Sequence, residues 1–210
     1  MSAEKSASWS YAEQLPTEDE VLLRARERSH ELGVPAVSTG VAAALTVLAA
    51  TSKAQTVVEV GTGAGVSGVA LLAGLPATAV LTTIDVDVDH LKAARESFAD
   101  AGVATNRTRT ISGRASQVLP RLTDGAYDLV FIDADKPSAP TYVGQATRLL
   151  KPAGLLIVNN ALHHDKVANP AARDEVTTAM RRIERSLRED ERLHTALLPT
   201  GDGLLLAVRR

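Results

Sequence analysis

Four glycines fall within the twelve residues 57–68, VVEVGTGAGVSG, directly after a β-branched run. Each glycine weakens any regular element that contains it, so the segment reads as the turn from a strand into a helix. The strand should end at Val60 and the helix begin near Val66, with Gly61, Gly63 and Gly65 between them. That arrangement presents bare backbone N–H groups to a ligand at a helix N-terminus, where a side chain would keep the ligand away. A chain built around such a turn is expected to be α/β.

The rest of the chain repeats the theme. TVVEV (56–60), VLTTID (80–85), RTRTIS (107–112), YDLVFID (127–133) and GLLIVN (154–159) read as short strands. Helical stretches lie between them: GVALLAGL, VDHLKAARESFADAG, RASQVLPRL and APTYVGQATRLLK. Strand and helix alternate as in a parallel sheet covered on both faces. Two further helices precede the sheet, one expected to be capped by Thr17 and stopped at Gly33, the other capped by Ser38 or Thr39. At the other end DEVTTAMRRIERSLRED is amphipathic, and two apolar runs around PTGDG predict an antiparallel hairpin. Residues 1–16 are small and polar, hold the only tryptophan, Trp9, and read as an N-terminal arm that packs Trp9 on the body or on a second subunit. One domain is expected over residues 17–210.

Composition narrows the function. The chain has 210 residues, no cysteine and a formal net charge of −2. Disulfides, thiolate zinc sites and a cysteine nucleophile are therefore excluded. No basic field exists to attract nucleic acid, and 3% aromatic residues make few base-stacking surfaces. No apolar run is long enough to span a bilayer and the N-terminus lacks a signal-peptide layout, so a cytoplasmic location is expected.

Some twenty residues after the glycine loop, Asp85 ends the second strand in TTIDVD, a place from which a carboxylate can accept hydrogen bonds from ribose hydroxyls. Glu59, one residue before the end of the first strand, would oppose a pyrophosphate but suit a ligand carrying a sulfonium and an ammonium. The pair favours S-adenosylmethionine over NAD. FIDADK then sets Asp133, Asp135 and Lys136 at the C-terminal edge of a buried strand, where open α/β sheets bind ligands.

VVEVGTGAGVSGVALLAGL, LTTIDVDVDHLKAARESFADAG, SGRASQVLPRL and YDLVFIDADK together resemble the class I O-methyltransferases related to catechol and caffeoyl-CoA O-methyltransferases, especially their small bacterial members. The resemblance covers roughly residues 17–210 and implies a Rossmann-like methyltransferase fold, a mostly parallel seven-stranded sheet with a C-terminal antiparallel hairpin. It implies that Glu59, Gly61, Thr62, Gly63, Ser67, Asp85 and Val86 line the methyl-donor site with Val37 near the methionine end, that Arg114 and Ala115 contact the adenine, and that Asp133 borders both donor and acceptor. It further implies that Asp133 binds a divalent metal and that Lys136 is the general base toward a phenolic hydroxyl, with Asp135 orienting Lys136 or facing solvent.

One departure stands out. The metal-dependent members carry Asp-Asn after the fifth strand, and here the pair is Asn159 and Asn160. An amide oxygen can ligate Mg²⁺, but one carboxylate fewer weakens a hard-cation site. The expected metal set is Asp133, Asn159 and Asn160, with Mg²⁺ ahead of Mn²⁺. His163 and His164 offer a softer-metal alternative, although a pocket-lining role is the plainer reading. PTGDG is expected to be a turn, with a role in shaping the acceptor pocket left open. The implied activity is methyl transfer from S-adenosylmethionine to a hydroxyl of a small catechol-like or phenolic acceptor, by a homodimer without nucleic-acid or membrane partners. The alternative is a donor-binding protein whose metal chemistry has decayed.

Overall fold

Alternation along the first strand sorts the two faces of the sheet. In β1 (Thr56–Val60) Val57 joins one apolar cluster while Val58 and Val60 join the other, and all are buried. A period of two does this in any pleated strand, and covering both faces makes each β-rich run apolar throughout. β2 (Val80–Asp85), β3 (Thr108–Ser112), β4 (Tyr127–Ile132) and β5 (Leu150–Val158) extend the sheet in parallel. β7 (Leu204–Arg209) pairs antiparallel with β5, and β6 (Leu193–Leu198) closes the edge as the hairpin partner of β7. The order is β3-β2-β1-β4-β5-β7-β6. The sheet is seven-stranded, mostly parallel and Rossmann-like, as expected.

The computed structural model describes residues 3–210. On one face lie α2 (Glu20–Glu31), α3 (Thr39–Ser52), α4 (Val66–Gly74) and α5 (Val88–Asp100), packed around Leu45, Leu71, Phe98 and Phe131. On the other lie α6 (Ala115–Val118), α7 (Ala139–Leu149) and α8 (Glu175–Glu189), around Leu119, Leu149, Leu156 and Met180. Chain order reverses between β1 and β4, which opens a crevice at their C-terminal ends.

Three local expectations are corrected. The N-terminal arm is largely α1 (Ala3–Gln14), a helix without an apolar stripe, so periodicity gave no sign of it. Residues 1 and 2 of that arm lie outside the described residues. Trp9 within it is half-buried. The cap of α2 is Asp19, whose carboxylate accepts from Leu22 N at 2.9 Å, rather than Thr17. The fifth strand starts at Leu150, four residues early, and carries Ala153 at φ 63° beside a register shift at Tyr127. The capping of α3 by Ser38 is as expected.

Candidate active site

β1 stops because Gly61 and Gly65 adopt φ of 93° and 90°, conformations that L side chains rarely enter. The demand for glycine is internal to the protein. A Cβ on Gly61 would stand 2.0 Å from the Asp133 carbonyl oxygen, and one on Gly65 would stand 3.0 Å from Ala94 Cα of α5. The packing of the protein itself thus requires glycine at these two positions, whereas a Cβ on Gly63 would meet only Val34 at an ordinary 3.5 Å. The ladder continues past the strand ends, with Gly61 N donating to Ile84 O and Asp133 N to Val60 O, so the three strand tips are hydrogen-bonded into one edge.

The loop amides are not bare. Asp85 Oδ2 accepts from both Thr62 N and Gly63 N at 3.0 Å, and Oδ1 accepts from Asp87 N at 3.0 Å. His90 Nδ1 lies 3.3 Å from the same Oδ1. A carboxylate already seated on these N–H groups leaves no anion hole for a pyrophosphate and holds Asp85 in one orientation.

Beside the loop opens a cavity of about 250 Å³. Asp85, Val86, Asp133 and Ala134 line it together with Gly61, Thr62, Gly63, Ser67, Val37 and Ala115. Eight expected donor-site residues are thereby brought together, with Asp133 as the ninth. Two are not. Arg114 is exposed and outside the lining, at the N-cap position of α6. Glu59 also lies outside the lining, fully buried on the α4 face of β1. Its Oε1 accepts from Ser67 Oγ and its Oε2 from Thr83 Oγ1, both at 2.6 Å, and Thr83 Oγ1 is 2.6 Å from Thr62 Oγ1. Burial pushes the Glu59 carboxyl up to about 7, against the pull of the two hydroxyls.

Several wall residues had no sequence motif to announce them. His90 stands five residues after Asp85, on the first turn of α5, and Tyr142 on α7 donates its hydroxyl to Asp135 Oδ1 at 2.7 Å. Asp135 therefore holds Tyr142 and, through Oδ2, the Ser138 amide at 3.1 Å, rather than Lys136. Those hydrogen bonds keep its carboxyl below the usual range although burial pulls the other way.

At the tip of β4, Lys136 Nζ lies 3.8 Å from Asp133 Oδ1 and donates to the Asn159 main-chain oxygen at 3.0 Å and to Asn160 Oδ1 at 3.4 Å. Burial lowers the Lys136 pKa, opposed chiefly by Asp133 and then by Asp202. Burial likewise raises Asp133, whose side chain is 21% exposed, opposed by Lys136 and a hydrogen bond from Asn159. Asp202 is the aspartate of PTGDG, so the hairpin turn borders the amine and is more than a connection.

These side chains do not fit the divalent cation expected of them. Asp133 is the only carboxylate of the set and already faces an ammonium, and Asn160 Oδ1 already accepts from that ammonium. A divalent cation roughly 4 Å from Lys136 would be repelled by about 8 kcal/mol at an effective dielectric of about 20. The oxygen left without a partner is Asn159 Oδ1, a buried neutral amide. Among the described residues no cluster of three histidines or carboxylates could hold a metal. His163 Nε2 faces Asp174 Oδ1 at 3.5 Å, and exposed His164 is tied through its amide to Asp202 Oδ1 at 2.7 Å. Neither histidine lines the cavity.

Comparison with known proteins adds to this geometry. The O-methyltransferase family matches residues 12–210. A Mycobacterium tuberculosis protein named as a probable O-methyltransferase is 50% identical over 201 residues, covering 96% of this chain and 90% of its own. Among solved structures, the O-methyltransferase TomG from Streptomyces achromogenes, involved in tomaymycin synthesis and solved with SAM, superposes with a TM-score of 0.86 at 29% identity, over 100% of this chain and 99% of that one. An O-methyltransferase from Bacillus cereus in complex with SAH superposes at 0.85 with 25% identity, over 97% of each chain.

Proposed function

Because the chain belongs to the O-methyltransferase family, we propose that it transfers a methyl group from S-adenosylmethionine to a hydroxyl of a small catechol-like or phenolic acceptor. The observation that carries this reading is that one cavity joins Asp85, fixed by the glycine loop, to Asp133 beside Lys136. A donor and an acceptor lying across that span would meet within it.

The donor supplies an electrophilic methyl on a sulfonium, and the electron pair of the broken C–S bond returns to sulfur. Asp85 holds the ribose: its carboxylate is oriented by Thr62 N, Gly63 N and Asp87 N, and oriented acceptors cost a ligand little to engage. Val86 and Ala115 offer apolar contact to the adenine. Ser67 and Thr62 must donate inward while Glu59 is ionised, so their lone pairs face outward and suit the donor's ammonium.

Lys136 handles the acceptor. A phenol with a pKa near about 10 is mostly protonated at neutral pH and is a poor nucleophile until its proton leaves. Lys136, once it has released a proton to solvent, takes the hydroxyl proton; burial makes that release easier. Its other N–H groups stay on Asn159 O and Asn160 Oδ1. A homodimer, a cytoplasmic location and a domain over residues 17–210 with a preceding arm complete the proposal.

The test uses labelled S-adenosylmethionine and a panel of catechols and simple phenols. Methylated acceptor with stoichiometric S-adenosylhomocysteine is expected. Donor binding without turnover on any acceptor would favour a donor-binding protein instead, and absence of heat with donor or product on folded protein would overturn both readings.

A further inference from the structure

The residues expected to hold a divalent cation hold something else, and the occupant is part of the chain. Lys136 Nζ is 3.0 Å from the Asn159 main-chain oxygen, 3.4 Å from Asn160 Oδ1 and 3.8 Å from Asp133 Oδ1. Three oxygens from the tips of β4 and β5 thus converge on one amine. Asn160 reaches it from a left-handed backbone, φ 53°, immediately after β5. The lysine side chain is only 21% exposed, and Asp202 in the β6–β7 turn adds a further negative charge nearby.

We propose that Lys136 replaces the divalent cation of the acceptor site, so that methyl transfer in this protein is independent of added metal. This rests on the methyltransferase reading above and deepens it. The charge balance argues for the exchange. A divalent site needs several anionic oxygens, and here the only carboxylate of the set faces an ammonium of unit charge while both asparagines are neutral. At the three converging oxygens one carboxylate against one ammonium is neutral; even with the Asp202 charge nearby, adding a divalent ion leaves net positive charge in a half-buried site.

The exchange also serves the reaction. When the acceptor oxygen attacks the methyl carbon, its proton has moved to the Lys136 amine. The ammonium so formed stands beside the oxygen that has just become anionic. Proton acceptor and counter-charge are then one group, where a metal site divides these tasks between ion and base. After transfer the products are a neutral methyl ether and the thioether of the spent donor, and the ammonium returns its proton to solvent.

Binding of Mn²⁺ alone, followed by calorimetry and by the electron paramagnetic signal of the free ion, tests this without an acceptor. The wild-type protein should show no saturable binding up to about 1 mM, with or without S-adenosylhomocysteine. Asn159→Asp together with Lys136→Met, which restores one carboxylate and removes the ammonium, should bind at least about 10-fold more tightly than Asn159→Asp alone. Wild-type binding with a Kd below about 100 μM, or equal binding by the single and double variants, would overturn the proposal. Should the double variant fail to fold, the wild-type titration decides alone. Turnover, where an acceptor is found, should be unchanged in EDTA. Loss of turnover in EDTA would overturn the metal-free site and leave the methyltransferase reading standing, whereas failure to bind S-adenosylhomocysteine would count against that reading and not against the Mn²⁺ result.

Discussion

The Ser67 hydroxyl stands 2.6 Å from Glu59 Oε1, so the first turn of α4 is tied to a carboxyl buried beneath it in β1. Thr83, the register partner of Glu59 on β2, holds the other oxygen. A carboxyl with two hydroxyl donors and no cation is a poor place for a full charge, and burial accordingly pushes it up to about 7.

That shift makes stability depend on pH. The native pKa lies above the ordinary value of 4.5, so between the two the native state binds more protons than the unfolded chain. Stability from this group is therefore greatest at low pH and falls as pH rises through that window, by a total of about 3 kcal/mol. Glu59→Gln, which carries no charge, should flatten this decline. Urea unfolding at about pH 5 and about pH 7.5 measures it, and an unchanged difference in the variant would refute the assignment.

Asp85→Ala should do two things together. Thr62 N and Gly63 N lose their acceptor, loosening the loop at a cost of about 1 to 3 kcal/mol, and the ribose loses its contact, weakening donor affinity by about 10- to 100-fold. Unfolding and donor titration of the same preparation read both. A variant that loses stability alone would show that Asp85 only braces the loop.

Gly61→Ala should be among the most damaging single substitutions in the chain. The new Cβ meets the Asp133 carbonyl at 2.0 Å and the backbone is held at φ 93°, so clash and strain add to several kcal/mol, on the order of 3 or more. Gly125→Ala, also at positive φ but with nothing within 4 Å, is the matched control and should cost about 1 kcal/mol.

Lys136→Met should separate chemistry from donor binding. Turnover on a phenolic acceptor should fall by about 100-fold or more while the donor Kd changes by less than about 3-fold, since Lys136 lies outside the cavity lining and its amine is engaged by the asparagine and Asp133 oxygens. Equal losses in both would place the lysine in the donor site.

Much of this architecture was legible because it rests on local chemistry. The bounds of β1 and β2 follow from β-branched runs ending at glycine and at aspartate, and period-two alternation places their side chains without tertiary information. The glycine loop and Asp85 were legible for the same reason, since their spacing is fixed by one strand, one helix and one strand. What the loop amides hold was not, because Asp85 reaches them across a parallel strand pair that only the folded sheet creates. Glu59 shows the same limit. Its place on the strand was readable, but its burial against Ser67 and Thr83 depends on how α4 lies over the sheet. His90 and Asp202 reach the site through α5 and the terminal hairpin, and no motif ties them to it. The helical α1 escaped notice because a polar helix without an apolar face has no periodicity to find.

Glu13 of that helix accepts from Gly40 N at 3.0 Å and from Gly201 N at 2.6 Å, clasping the start of α3 and the β6–β7 turn in one carboxylate. The chain's beginning is thereby buttoned to a point near its end, on either side of the segment that carries Val37 into the cavity wall. An expression clone shortened to the alternating strand-and-helix region would lose this clasp. A preparation trimmed for convenience could then be tested for catalysis with its donor-side wall ajar, and its inactivity would say nothing about the enzyme.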